Sequence, residues 1–232
     1  MYKNKKILAI IPARSNSKGV KDKNIKLLRK KPLICYTISE AIKSKIFDFI
    51  FVSTNSKRYA EISQKCGAKV PFLRPEEIST DTSGADEYII NSIETLKTYE
   101  ENFDYFVVLQ PTSPFRTSDD IKNAVKLIIN ENLSSVISVC KGQHCLENYG
   151  KLSKSLSMYK FSTMFNRQDV AETYRINGAI YVSKCEIFLK EKTFYLKNSK
   201  AYIMDAERSV DIDTQFDFSF AEFLLKNNLN HT

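Results

Sequence analysis

The sequence has no tryptophan, two histidines, and only six glycines and six prolines among 232 residues. So little glycine and proline excludes a collagen-like repeat or a chain made mainly of linkers. Two histidines, His144 and His231, beside cysteines at spacings that match no zinc motif, argue against a His/Cys zinc site. The five cysteines (Cys35, Cys66, Cys140, Cys145 and Cys185) are odd in number and match no disulfide framework. The reading is free thiols, which suit a reducing cytoplasm. No apolar run approaches the length of a membrane span. The run Ile7–Pro12, after a basic Met1–Lys6, is too short for a signal-peptide core. These absences predict a cytoplasmic protein with no membrane attachment.

What is present is ordinary for a globular chain: 43% hydrophobic and 27% charged residues, with 15 Phe and 12 Tyr for core bulk. A chain of this size buries roughly 70% of the surface it exposes when unfolded, so no metal or crosslink is needed to hold it. Lys and Arg number 35 against 27 Asp and Glu, a net charge of +8. Such a surplus can serve nucleic acid, anionic lipid or a small polyanionic substrate. Here the lysines are scattered over every segment, so the bulk charge reads as composition.

Short apolar runs alternate with helical periodicity. Ile7–Ile11, Phe49–Ser53, Tyr105–Leu109, Ser135–Val139 and Gly178–Ser183 read as strands. Helical stripes lie between them: Ile34, Ile38, Ala41 and Ile42; a segment capped by Thr54-Asn55-Ser56 and stopped at Gly67; Ile89, Ile93 and Leu96; Ile121, Ala124, Val125, Ile128 and Ile129 after a cap at Ser118. Thr214 with Asp217 forms a capping box, and Phe216, Phe220, Phe223 and Leu224 stripe a closing helix. This rhythm predicts one α/β domain over residues 1–232, a mainly parallel sheet flanked by helices. Residues 141–175 are polar and without clean period, and read as an inserted arm.

In open α/β sheets, ligands bind beyond the carboxyl ends of the strands. After the first strand, Pro12–Asn24 carries one glycine and the cations Arg14, Lys18, Lys21 and Lys23. It is neither a Walker A loop nor a Gly-x-Gly-x-x-Gly fingerprint. Its backbone N–H groups and cations suit a triphosphate, with a solvated basic loop as the bland alternative. After the third strand, two prolines stiffen Gln110-Pro-Thr-Ser-Pro-Phe-Arg116 and present Gln110 and the hydroxyls rigidly. Near the C-terminus, Asp211-Ile-Asp213 puts two carboxylates at i and i+2. If extended, both point one way and can share one Mg2+.

In combination these blocks are specific. The segment Ile11–Asn24, Leu73-Arg-Pro75 with Asp81-Thr-Ser83, Leu109–Arg116, Arg167-Gln168, Asn177-Gly-Ala-Ile-Tyr181 and Asp211-Ile-Asp213 resemble, in order, the motifs of the CMP-sialic acid synthetases. The resemblance runs from residue 7 to about 224. It implies a Rossmann-like fold, a homodimer, and Mg2+-dependent joining of CTP to a nonulosonic acid of N-acetylneuraminic type, with release of pyrophosphate. It further implies that Arg14, Ser17 and Lys23 bind the triphosphate, with Arg14 and Lys23 stabilising the departing pyrophosphate. Asn24 and Arg74 would lie at the nucleotide, with Ser83, Pro111 and Thr112 around cytosine and ribose. Gln110, Arg167, Gln168 and Asn177 would face the sugar, whose carboxylate a guanidinium grips bidentately. Asp211 and Asp213 would hold Mg2+. The Ser-Lys-Gly-Val-Lys-Asp-Lys-Asn24 stretch differs from the loop of the related CMP-KDO synthetases.

Departures fall on the sugar side. Residues 141–151 do not align with the family, so either Lys141 or Lys151 answers to its sugar-contacting lysine, and Asn166 replaces an expected proline. A legionaminic-type acid is the alternative substrate. The arm, with Phe161, Met164 and Phe165 available for burial, is expected to pack on a second subunit. An RNA-binding module is the rival from another class. It needs aromatics on an exposed basic face, and here the aromatics lie within apolar runs and helix stripes.

Overall fold

The structure, a computed structural model, describes residues 2–15, 19–142, 151–152, 158–159 and 172–227. Among these residues a six-stranded sheet forms the centre. Its strands are β1 (Ile7–Pro12), β2 (Phe49–Ser53), β3 (Tyr105–Leu109), β4 (Ser135–Lys141), β5 (Tyr174–Lys184) and β6 (Ser199–Ile203), in the order β6-β4-β5-β3-β1-β2. β1 is parallel to β2 and β3, and β6 is parallel to β4. β5 alone runs antiparallel, between β3 and β4. This is the mainly parallel, Rossmann-like sheet that the sequence predicts, with one strand reversed.

The helices are α1 (Leu33–Ser44), α2 (Lys57–Lys65), α3 (Ala85–Thr98), α4 (Ser118–Asn130), α5 (Cys185–Glu191) and α6 (Gln215–Lys226). Both faces of the sheet are covered, which is why β1 and β3 read as unbroken apolar runs. On one face Ile7, Ala9 and Ile11 pack with Ile34 and Ile38 of α1 and with Ile121 and Val125 of α4. On the other, Leu8, Ile10 and Phe106 meet Ile89 and Ile93 of α3 and Phe188 of α5. None of these helices is long and apolar enough to cross a membrane.

Three local readings need correction. The N-cap of α4 is Thr117, whose hydroxyl and Asp120 form a reciprocal box, so Ser118 is the first helical residue. On α6 the Thr214–Asp217 box forms as expected, but Phe216, Phe220 and Phe223 face outward at 79%, 44% and 54% exposure. The buried face is Phe218, Ala221 and Leu224, which meet Leu28, Leu33, Phe115 and Ile212 in a small third cluster. Cys35 and Cys66 are not free: they form a disulfide, with Cα atoms 5.6 Å apart across 31 residues. It joins α1 to the residue that ends α2, a proximity made by tertiary packing and invisible in spacing. Cys140 and Cys185 are free and buried.

The feature that shapes the site is a break in the β4–β5 ladder. The register shifts between Ile137 and Val139, where Asn177, Gly178, Ala179 and Ile180 of β5 stand opposite Ser138 alone. Ser138 fastens this bulge, donating from Oγ to Asn177 Oδ1 at 2.6 Å and accepting from the Ile180 N–H at 2.8 Å.

Candidate active site

The carboxyl ends of β1 and β3 open into a cleft of about 630 Å3. Three groups of residues line it: Arg14, Lys23 and Asn24 after β1; Arg74, Asp81, Ser83 and Tyr88 between β2 and the first turns of α3; and Gln110, Pro111 and Thr112 after β3, with Asp211 and Asp213 beside them.

The loop after β1 is tied down at both ends of its described part. The Ser15 N–H donates to Asn55 Oδ1 at 2.9 Å, and Asn55 in turn donates to the Glu76 carboxylate at 3.0 Å. The Asn24 amide, 6% exposed, donates to the Arg14 carbonyl at 3.3 Å. The two cations of this loop that reach the cleft each meet a carboxylate. Arg14 pairs with Asp81 at 2.7 Å, and Lys23 with Asp213 at 3.0 Å.

Arg74 is 5% exposed yet borders the cleft. Its Nε donates to Ser53 Oγ at 3.0 Å and an Nη donates to the Ser53 carbonyl at 2.6 Å. Its guanidinium lies 4.8 Å from the centre of the Tyr88 ring. Burial pulls its pKa down, to about 10, and pushes the Tyr88 phenol up. Tyr88 and Arg74 thus make a rigid floor with a flat aromatic component and fixed donors, chemistry suited to a ring with hydrogen-bonding edges.

The Asp211–Asp213 segment lies between β6 and α6, outside regular secondary structure. Ile212 between them is fully buried, and its N–H donates to the Thr112 carbonyl at 2.9 Å, so both carboxylates turn toward the cleft. Asp211 Oδ1 is buried without a hydrogen-bond partner. Burial raises the Asp211 pKa, and the neighbouring Asp213 charge raises it further, against the Thr112 hydroxyl, Lys23 and Arg175. An orphaned buried carboxylate oxygen beside a second, exposed carboxylate fits a hard cation such as Mg2+. Among the described residues no cluster of three or more His, Cys, Asp or Glu would hold a metal alone. A cation here would complete its shell with ligand phosphates and water, as Mg2+ commonly does.

Of the residues expected at the site, Arg14, Lys23, Asn24, Arg74, Ser83, Gln110, Pro111, Thr112, Asp211 and Asp213 do come together. Ser17, Arg167 and Gln168, together with Phe161, Met164 and Phe165 of the arm, lie outside the described residues. Asn177 is not part of the lining. It is fully buried behind the wall, where its Nδ2 donates to Ser209 Oγ at 2.8 Å and its Oδ1 accepts from Ser138. Its part is to hold the bulge. Tyr88 was missed, because one aromatic in an amphipathic helix carries no sequence signal that separates a cleft floor from a core.

This fold and cleft define an α/β protein with a polar, charged cleft at the carboxyl ends of its strands, and similarity to known proteins narrows the class. Residues 8–230 match the cytidylyltransferase family. An N-acylneuraminate cytidylyltransferase of Escherichia coli O18:K1:H7 is 41% identical, over 93% of this chain and 51% of that protein. The chain therefore spans about half the length of that curated relative. A CMP-N,N'-diacetyllegionaminic acid synthase of Legionella pneumophila is 34% identical, over 96% of this chain and 97% of the relative. A solved CMP:2-keto-3-deoxy-manno-octonic acid synthetase complexed with CTP superposes with a TM-score of 0.74 at 14% identity, covering 96% of this chain and 99% of that one, a likeness of fold. The chain belongs to the cytidylyltransferase family.

Proposed function

We propose that this protein is an Mg2+-dependent cytidylyltransferase that joins CTP to a nonulosonic acid of the N-acetylneuraminic type and releases pyrophosphate. The observation that carries this reading is one cleft in which Arg14 and Lys23 face Asp211 and Asp213, in a chain of this family. The anomeric hydroxyl oxygen of the sugar attacks the α-phosphorus. The bond from that phosphorus to the bridging oxygen of the β-phosphate breaks, pyrophosphate takes the electron pair, and the hydroxyl proton leaves to a base. Arg14 and Lys23, with Ser17 on the same loop, hold the triphosphate and balance the charge that grows on pyrophosphate. Asn24, Arg74, Ser83, Pro111 and Thr112 surround the nucleoside, and Gln110, Arg167 and Gln168 face the sugar. Asp211 and Asp213 would hold Mg2+, which when bound supplies Lewis-acid polarisation of the α-phosphate.

A homodimer in which the 141–175 arm of one subunit completes the sugar pocket of the other belongs to the same reading, as does a cytoplasmic site of action, where CTP is made. The legionaminic-type alternative is favoured by one observation: the Legionella relative is matched over nearly its whole length.

The test is calorimetry with nucleotides, then pyrophosphate release over a panel of nonulosonic acids. CTP is expected to bind without the sugar and far more tightly than ATP, because a pocket paired to cytosine leaves polar groups unmet by other bases, at about 1–3 kcal/mol each. Turnover is expected with N-acetylneuraminic acid and not with KDO. Comparable ATP affinity, or no pyrophosphate with any acid of the panel, would defeat the reading.

Arg14 must exchange Asp81 for phosphate when the triphosphate enters. Asp81→Asn removes that competitor and is expected to tighten CTP binding. A half-exposed pair is worth up to about 1 kcal/mol, so the gain is at most about fivefold. Weaker CTP binding by the variant would show that Asp81 itself contacts the ligand.

A further inference from the structure

Arg116 is the largest fully buried side chain among the described residues, at 1% exposure, and none of the assigned roles uses it. One Nη donates to the Ala179 carbonyl at 2.6 Å, and the other to the Gln110 carbonyl at 2.7 Å and to the Thr37 hydroxyl. Its Nε is buried with no partner. Among the described residues it makes no ion pair, so neutral acceptors alone hold a buried cation. Burial pulls its pKa down, to about 9, while Asp120, Glu40 and Asp211 pull upward, so it is charged at neutral pH. A buried guanidinium without a paired carboxylate is an expensive feature. Its position explains it.

The β3–β5 ladder ends at the pair Leu109 and Ile180. The next peptides, at Gln110 and Ala179, diverge there, and the guanidinium spans their two carbonyls. Immediately beyond, Gly178 turns with φ of 74°. A Cβ on Gly178 would lie 3.0 Å from Gln110 Oε1 and 3.3 Å from Asp211 Oδ2, so both side chains lie close against that turn.

We infer that Arg116 is the positioning residue of the site: by clamping the Gln110 and Ala179 carbonyls it sets the placement of Gln110 against Asp211, and so aligns the acceptor side of the cleft with the metal side. A planar fork with donors in fixed directions can span two carbonyls. A lysine keeps the charge and loses the span. The kinetic part of the proposal rests on the cytidylyltransferase reading; the clamp itself does not.

The experiment compares the parent with Arg116→Lys and Arg116→Met by three readouts. Amide hydrogen exchange of the ligand-free protein is expected to quicken at residues 110–113 and 178–180 in both variants, with α1 and β1 unchanged. Calorimetric CTP affinity is expected to fall by no more than about threefold in Arg116→Lys, since Pro111 and Thr112 loosen but the triphosphate loop, Asn24, Arg74 and Ser83 are untouched. Its kcat/KM for the acceptor is expected to fall by about 10- to 100-fold, the scale of small misplacements at a reacting centre, with a higher Mg2+ concentration for half-maximal rate. Local exchange like the parent's, or an Arg116→Lys enzyme that is less heat-stable but has unchanged kcat/KM and Mg2+ midpoint, would overturn the assignment. Failure of both variants to fold would make Arg116 a structural residue and overturn it too. If the parent turned over no nonulosonic acid while the local exchange quickened as expected, the cytidylyltransferase reading would fall and the clamp would stand.

Discussion

Asp211→Asn is expected to remove nearly all turnover while leaving the protein at least as heat-stable as the parent. Both halves come from the same atoms. Asp211 is held by its neighbour: Ile212 is locked into the cluster of Leu28, Leu33, Phe115 and Phe218, so the carboxylate cannot withdraw from the cleft. Its Oδ1 has no partner, and burial holds its pKa above the ordinary carboxylate value. A carboxyl whose pKa is raised by folding costs stability when ionised. The cost is fully present above the raised pKa and disappears as pH falls below the ordinary one. Asparagine keeps the shape and discards the charge, so the melting temperature at neutral pH should hold or rise, and the gap to the parent should close in acid. In the working enzyme the same charge is a ligand to Mg2+. Losing an electrostatic stabiliser of this kind costs about 10²–10³-fold in kcat. Asp213→Asn should also lower turnover, as the second carboxylate of the metal pair, but should leave heat stability nearly unchanged, because its side chain is 72% exposed and its pair with Lys23 is open. Thermal melts without metal and pyrophosphate release at saturating Mg2+ check both halves. A parent-like rate for Asp211→Asn would remove it from the metal set, and a clear loss of heat stability would refute the uncompensated-charge argument.

The parts of the fold that were readable are those where burial and sequence pattern coincide. Tyr105–Leu109 is buried along its whole length between two helical layers, so its apolar run has one interpretation. Ser199–Ile203 is an edge strand with no fully buried residue, and its sequence, Ser-Lys-Ala-Tyr-Ile, begins on two polar residues and gives no long apolar run to notice. The reversal of β5 is likewise silent, since a central strand buries the same residues in either direction. On α6, apolar residues occupy both faces. Periodicity alone selects the phenylalanine row, whereas packing against Leu28 and Phe115 selects Phe218, Ala221 and Leu224. The cleft was legible for a physical reason: the loops beyond the carboxyl ends of β1 and β3 must carry the ligand groups in this architecture. What lay beneath that surface was not. Asn177 and Arg116 sit among the motif residues, and only the hydrogen bonds show that one fastens a bulge and the other clamps two strand ends.

Gly178→Ala is expected to disable the enzyme out of proportion to its effect on stability, and Gly67→Ala supplies the control. Both glycines have positive φ, 74° and 98°. An L side chain in that region costs about 1–2 kcal/mol. In a protein of this size each kilocalorie lowers the melting temperature by about 2–4 °C. The neighbours differ. A methyl at Gly67 would press on the Ile42 side chain at 2.8 Å, at the end of α2 and away from the cleft. A methyl at Gly178 would press on the Gln110 amide and the Asp211 carboxylate at 3.0 and 3.3 Å, driving apart the two groups that Arg116 brings into register. Similar melting temperatures for the two variants are therefore expected, with kcat/KM near the parent's for Gly67→Ala and lower by about 100-fold for Gly178→Ala. The measurement is initial rate at a temperature well below both transitions, so that the unfolded fraction does not enter. Equal activity in the two variants would mean that the Gln110–Asp211 spacing is not critical, and the alignment of acceptor and metal would have to be sought elsewhere in the cleft.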